Sequence, residues 1–235
     1  MGGGENILET DKRLAQMFGK PKRAGSARGG DPIEVLVGCI LSQNTTDAQS
    51  DAAYAALVKK FPTWAQLRDA RLSDIARVIK TSGLANEKAA YIKGALQFIE
   101  RERGAFTLDF LNDLSEHDAR KWLMQMRGVG PKTASIVLLF AQKRNVFPVD
   151  THVLRVTRRL GWISEKTTAE QAHQLLETEI PPKMYYRMHI NLIRLGREIC
   201  RAQNPRCEMC PLKDLCEYYQ KVPRVIRLRN KGNAN

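Results

Sequence analysis

Lys132 follows directly on the run Met126-Arg127-Gly128-Val129-Gly130-Pro131, and Asp150 stands eighteen residues further on, in Val149-Asp150-Thr151-His152. A neutral lysine amine attacks carbonyl-like carbons, a sugar C1′ included, and forms a Schiff base. A place in the first turn of a helix, near the positive helix end and other cations, favours the neutral amine. The same place also suits a solvated lysine that pairs with phosphate. Asp150 offers a carboxylate able to take the amine's proton or to stabilise positive charge at C1′. It suits equally well the N-cap of a helix beginning at Thr151. The spacing lets the two residues meet. About 11 helical residues rise roughly 16 Å, and the stretch from Arg144 to Val149, extended, returns about 20 Å.

Four of the five cysteines form a second candidate centre, Cys200, Cys207, Cys210 and Cys216, with one close pair and two longer arms. Four soft thiolates suit an iron–sulfur cluster or zinc, and zinc sites more often present two close pairs. Between the first two ligands runs Arg201-Ala202-Gln203-Asn204-Pro205-Arg206, a basic loop that a metal centre would pin against phosphate. Cys39 sits among apolar neighbours and reads as a core residue. His152 reads as a packing histidine of its helix rather than a base.

The elements that must position these groups are helices. Apolar residues recur at helical spacing along most of the chain, and the β-branched runs bounded by turns that mark a sheet are missing, so the expected fold class is all-α. Helices are predicted over Asn6–Phe18, from Asp31-Pro32 to Leu41, and over Asp47–Lys60, Trp64–Ala70, Leu72–Lys80 and Asn86–Arg103. Further helices are predicted over Ser115–Met126, Lys132–Gln142, Thr151–Leu160, Thr168–Glu177 and Met184–Cys200. The continuously apolar Val35–Leu41 marks its helix as central. The glycine-rich basic stretch Gly19–Gly30 marks a boundary. Gly128 and Gly130 are read as permitting backbone angles closed to other residues, and Pro131 suits a first helical turn. The result is a helix-hairpin-helix whose unpaired amides at a helix N-terminus suit a nucleic-acid phosphate.

Charge agrees with that ligand. The 235 residues hold 38 Lys and Arg against 25 Asp and Glu, a net charge of +13, which points to a polyanion. Five of those charges, Lys221, Arg224, Arg227, Arg229 and Lys231, fall in the last fifteen residues with no acid among them, as a solvated tail or a phosphate-contacting arm. No apolar run approaches the roughly 18 residues of a membrane span, and the acidic N-terminal residues match neither a secretory signal nor a transit peptide. The cysteine pattern fits a secreted disulfide framework poorly, so a cytoplasmic protein that works on the chromosome is expected. Of the three tryptophans only Trp122 follows basic residues directly, which argues for duplex rather than single-strand binding.

The hairpin, the Val149-Asp150-Thr151-His152 segment and the four-cysteine loop, in this order and at these separations, closely resemble one family. It is the helix-hairpin-helix DNA glycosylases with a catalytic Asp, specifically bacterial and archaeal endonuclease III, over about Leu8 to Glu217. The resemblance implies a six-helix barrel domain, residues 25–144, and a [4Fe-4S] cluster domain, residues 145–235, completed by the N-terminal helix within residues 1–24. It implies a bifunctional enzyme, likened to a monomer, that removes oxidised pyrimidines from duplex DNA and cleaves the abasic site by β-elimination. Lys132 would be the Schiff-base nucleophile and Asp150 its acidic partner. Two loops would fill the gap left by the flipped nucleotide. The first, Leu41–Asp47, places Asn44 where many members have glutamine, one methylene longer, with Gln43 beside it as a possible substitute; Asn44 also suits a cap for the next helix. The second, Ser82–Lys88, puts Leu84 at the apolar wedge position, against the alternative of a loop anchor. Arg127, where the family often has proline, adds charge near the phosphate site, with Gly128, Val129, Gly130, Arg201 and Arg206 completing the expected DNA contacts. Two other readings stand beside this one: a monofunctional mismatch or adenine glycosylase of the same fold, and a non-catalytic lesion-binding protein.

Overall fold

A computed structural model describes residues 3–21 and 30–221 of the chain. The basic stretch within residues 22–29 and all of the charged tail beyond Lys221 lie outside the described residues. Twelve α-helices occur among the described residues, in order α1 (Gly3–Phe18), α2 (Pro32–Leu41), α3 (Asp47–Lys60), α4 (Trp64–Asp69), α5 (Leu72–Val78), α6 (Ala85–Arg103), α7 (Glu116–Leu123), α8 (Pro131–Ile136), α9 (Thr151–Leu160), α10 (Ala169–Glu179), α11 (Tyr185–Glu198) and α12 (Glu217–Lys221). No strand is present among them, and none of the helices is long and apolar enough to cross a membrane.

The chain divides into two compact units, Gly25–Arg144 and the combination of Met1–Ala24 with Asn145–Asn235. In the first, α2 packs against α3, α6 and α8. Asp31 caps it by accepting the Ile33 N–H at 2.8 Å, with Pro32 in the first helical position. Ile33, Leu36, Val37, Ile40 and Leu41 of this helix are fully buried, as the unbroken apolar run requires. Thr46 and Thr63 begin α3 and α4 with reciprocal capping boxes to Gln49 and Gln66, each satisfying amides that the helix itself leaves open.

Several ends differ from the sequence expectation. The fifth helix stops at Val78 and tightens into a 3₁₀ turn, Lys80–Ser82. The seventh stops at Leu123, because Met126 turns its carbonyl to the Val129 N–H at 3.1 Å to make the hairpin. After Ile136 the eighth helix widens into a π-helical turn, Val137–Ala141, which Arg144 closes by donating its amide to Leu138 O at 3.0 Å. The 3₁₀ piece Asp109–Asp113 was not expected. Arg144 holds it, donating to the carbonyls of Leu111 and Leu114.

In the second unit α9 packs against α11, and α1 lies on α11 and α10. Gly196 of α11 makes the first contact close: a Cβ there would stand 2.8 Å from His152 Cβ. Polar ties hold α1 to the unit. Arg187 bonds Asp11 at 2.7 Å, Arg194 donates to Phe18 O at 2.7 Å, and Arg13 reaches Pro211 O and Asp214.

Candidate functional site

The groups singled out in the sequence fall in both units. In the first unit the hairpin Met126–Pro131 joins α7 to α8. Gly128 has φ +83, in the left-handed region, and a Cβ there would fall 2.5 Å from the Tyr91 ring, so only glycine fits. Gly130 is different from the expectation: at φ −97 and ψ −178 it is extended backbone open to any residue, and a Cβ would meet nothing within 4 Å. Its smallness leaves open space in front of the hairpin rather than serving the fold. Val129 is buried and its N–H is taken by Met126 O, so it anchors the hairpin; the amides of Arg127, Gly128 and Gly130 have no backbone partner among the described residues.

Lys132, in the first turn of α8, is exposed and has no hydrogen-bond or ion-pair partner among the described residues. Arg127 is exposed and lies 5.6 Å from the centroid of Tyr91, the ring that backs Gly128.

The two loops also belong to this unit. Asn44 is exposed with φ 51. It does not cap α3, since Thr46 does. Gln43 does not stand in for it at the loop tip: its Nε2 donates to Gly128 O at 2.9 Å, which ties the loop to the hairpin. Leu84 is 53% exposed at φ 46, immediately before α6, so it is not an internal anchor. A large apolar side chain held outward in a conformation that L residues avoid is unusual. Lys88, which closes the second loop and had no role of its own in the sequence, is buried and donates from Nζ to Leu41 O at 2.8 Å and Ser82 O at 2.5 Å. Burial holds its pKa below the usual lysine value.

In the second unit Asp150 is the N-cap of α9, its Oδ1 accepting the Val153 N–H at 2.8 Å. The extended segment that carries it, Val146–Val149, is buried but belongs to no sheet. Side chains from α10 and α11 satisfy its backbone instead. Glu177 accepts the Phe147 N–H at 2.8 Å, His173 meets Phe147 O at 3.0 Å, and His189 meets Pro148 O at 2.9 Å. These three residues gave no local signal in the sequence, because their partners are backbone atoms 26 to 41 positions away. His152 packs on Gly196, its pKa lowered first by burial, in keeping with a packing role. Cys39, of the first unit, is half-buried rather than in the core.

The four cysteines of the C-terminal loop are free of disulfides and line one small cavity with Arg159, Ile199, Tyr218 and Tyr219. Burial and the neighbouring thiols push Cys207 up to about 11 and Cys210 up to about 12, and burial raises Cys216. Among the described residues no group of His, Cys, Asp and Glu closes on a single ion, and a cluster, each of whose corners takes one thiolate, does not require it. Arg159 lies beside this cavity. It donates to Cys200 Sγ at 3.3 Å and to the carbonyls of Arg201 and Ala202 at 2.7 and 3.1 Å, so a cation backs the thiolates and shapes the basic loop. The side chains of exposed Arg201 and half-buried Arg206 have no partner among the described residues. Four thiols at one apolar cavity, with a cation to offset their charge, fit an iron–sulfur group.

Comparison with known proteins covers the regions that hold both groups of residues. The HhH-GPD superfamily of base excision DNA repair proteins matches residues 37–182, and the iron–sulfur binding domain of endonuclease III matches residues 200–216. Endonuclease III of Thermotoga maritima is 34% identical over 191 residues, covering 81% of this chain and 85% of that protein. A protein of Arabidopsis thaliana named as a DNA glycosylase is 37% identical over 168 residues, 72% of this chain; the match spans 57% of the plant protein. Among solved structures, a trapped endonuclease III–DNA covalent intermediate shares 28% identity with a TM-score of 0.78, covering 94% of this chain and 99% of that one. The chain belongs to the endonuclease III family of DNA glycosylases, within the HhH-GPD superfamily of base excision DNA repair proteins, with a [4Fe-4S] cluster as its cofactor.

Proposed function

We propose that this chain excises oxidised pyrimidines from duplex DNA and then cleaves the abasic site through a Schiff base on Lys132. The observation that carries the reading is an exposed, unpartnered lysine next to three unpartnered hairpin amides, those of Arg127, Gly128 and Gly130. The amides and the positive end of α8 receive a backbone phosphate, and the vacant space in front of Gly130 lets it approach. Lys132 Nζ, relieved of its proton, forms a bond to C1′ while the bond from C1′ to the base breaks and the base leaves protonated. The sugar ring then opens to an imine. Loss of a C2′ proton expels the 3′ phosphate, and water hydrolyses the imine to return the free amine.

Asp150 is the proposed partner. One oxygen is fixed by the Val153 N–H, which aims the carboxylate, and the other is left to hold the amine's proton or to face the charge that develops at C1′. Asn44 and Leu84, exposed at their loop tips, fill the place of the extruded nucleotide. Cys200, Cys207, Cys210 and Cys216 hold the cluster, which when bound supplies a rigid anchor for the loop that offers Arg201 and Arg206 to phosphate. The protein acts as a monomer on one lesion. A monofunctional glycosylase activates water and has no need of the Lys132 amine, so the exposed lysine favours the bifunctional reading.

The test uses a duplex with one thymine glycol. Wild-type protein yields a nicked strand with an unsaturated 3′ aldehyde, and Lys132→Gln binds the duplex but gives no nick. Nicking by Lys132→Gln at the wild-type rate would overturn the lysine mechanism.

A further inference from the structure

The two loops that the proposed function sends into DNA begin where α2 ends at Leu41 and where the 3₁₀ turn ends at Ser82, and one side chain meets both points of departure. Lys88, in the first turn of α6, is 1% exposed and donates to the carbonyls of Leu41 and Ser82. An ammonium suits this task, because three N–H bonds on one atom reach carbonyls of separate segments. Leu41 ends α2, where helix carbonyls carry partial negative charge that offsets a buried cation. No carboxylate pairs with Lys88 among the described residues. A buried cation without a counter-ion is a costly way to fill space, and methionine would fill the same volume without that cost. What the ammonium adds is a fixed relation between two carbonyls.

Just beyond each clamped carbonyl the chain takes a left-handed turn at a residue other than glycine, Asn44 at φ 51 and Leu84 at φ 46. Such conformations persist where the surroundings hold them. Gln43 adds the register, since its bond to Gly128 O fixes the first loop to the hairpin. We propose that Lys88 is a positioning residue that locks the Asn44 loop and the Leu84 loop into one rigid fork, so that both enter the duplex together as the base is extruded. The purpose given to the fork rests on the function proposed above; its existence does not.

Hydrogen exchange and paired activity assays on Lys88→Met test both halves. In wild type the hydrogen-bonded amides of the two loops, those of Ser42, Gln43 and Thr46 in the first and of Ser82 and Gly83 in the second, open as one unit, with equal opening free energies that fall in parallel with added urea. In Lys88→Met both sets lose protection together by about tenfold or more, while the core of α2 keeps its own. Excision of thymine glycol from duplex falls by about tenfold or more, and β-elimination at an abasic site in a single strand, which needs no loop insertion, stays within about twofold. A general loss of structure would lower both activities alike. Loosening of one loop only, equal loss of both activities, or no loss would overturn the proposal. Should Lys88→Met fail to fold, unequal opening of the two loops in wild type overturns it as well. Wild-type protein that excises nothing would remove the proposed function, and the exchange data would still decide whether the fork exists.

Discussion

Replacing Gly128 and Gly130 by alanine, one at a time, separates the glycine that the fold requires from the one that the ligand requires. At Gly128 the φ of +83 places alanine in the left-handed region, which costs about 1–2 kcal/mol. The new Cβ would stand 2.5 Å from Tyr91 Cγ and Cδ2. This is the root of a ring, not the end of a flexible chain, and making room costs about 1–3 kcal/mol more. The total is a loss of about 2–5 kcal/mol, which at a urea slope of about 2 kcal/mol/M lowers the unfolding midpoint of this unit by about 1–2.5 M. At Gly130 the backbone is extended and the added methyl meets nothing. There the expected change is between none and a gain of about 1 kcal/mol from the stiffer unfolded chain. Urea titrations followed by circular dichroism give the stabilities, and fluorescence anisotropy with a reduced abasic duplex gives the affinities. Gly130→Ala is expected to fold at least as well as wild type yet bind several-fold more weakly, because its methyl occupies the space proposed for phosphate. Equal destabilisation by the two variants would refute the reading of Gly128, and wild-type affinity in Gly130→Ala would refute that of Gly130.

Other predictions address the remaining parts. His189→Leu leaves the buried Pro148 carbonyl without its partner, so stability falls by about 1–3 kcal/mol and excision slows more than binding weakens, as single-turnover rates would show. Cys210→Ser is expected to yield protein short of iron and sulfide with weakened duplex affinity, and full cluster content would contradict the assignment. Arg201→Ala lowers the slope of log affinity against log salt by about 1 in binding titrations. Arg13 holds the Asp214 carboxyl below the usual carboxylate range, so that its folded value lies below its unfolded one. The stability this pair adds is present above the ordinary aspartate value of about 3.9 and fades as pH falls through the lowered folded value. For so exposed a pair the amount is under about 1 kcal/mol, and Asp214→Asn should show the deficit at pH 7 and lose it in acid melts.

How much of this was legible in the sequence depended on how local the signal was. Helix α3 is capped by Thr46, boxed with Gln49, rather than by Asn44, whereas α9 has its expected bounds because its cap, Asp150, adjoins its first turn, and α2 likewise announces itself through Asp31-Pro32. The cysteine spacing located the cluster loop for the same reason. The end of α7 was misplaced because the hairpin draws residues 124–126 out of a helix that their side chains would continue. Gly130 was misread because glycine has two uses, freedom of φ and absence of bulk, and only coordinates separate them. Gln43 was read as a stand-in for Asn44, yet it bonds a carbonyl 85 residues away. Lys88, His173 and His189 were not legible as site-forming residues at all. Each is buried with polar atoms directed at distant backbone, and nothing in their immediate neighbours tells such a residue from a surface lysine or a packing histidine.

Borohydride trapping followed by peptide mapping puts the central claim to the most direct test. Protein mixed with a thymine glycol duplex and borohydride should yield a covalent protein–DNA adduct, and mass spectrometry of its digest should place the reduced sugar on the peptide that holds Lys132. An adduct on another residue, or active excision with no adduct while an abasic control also remains untrapped, would contradict it.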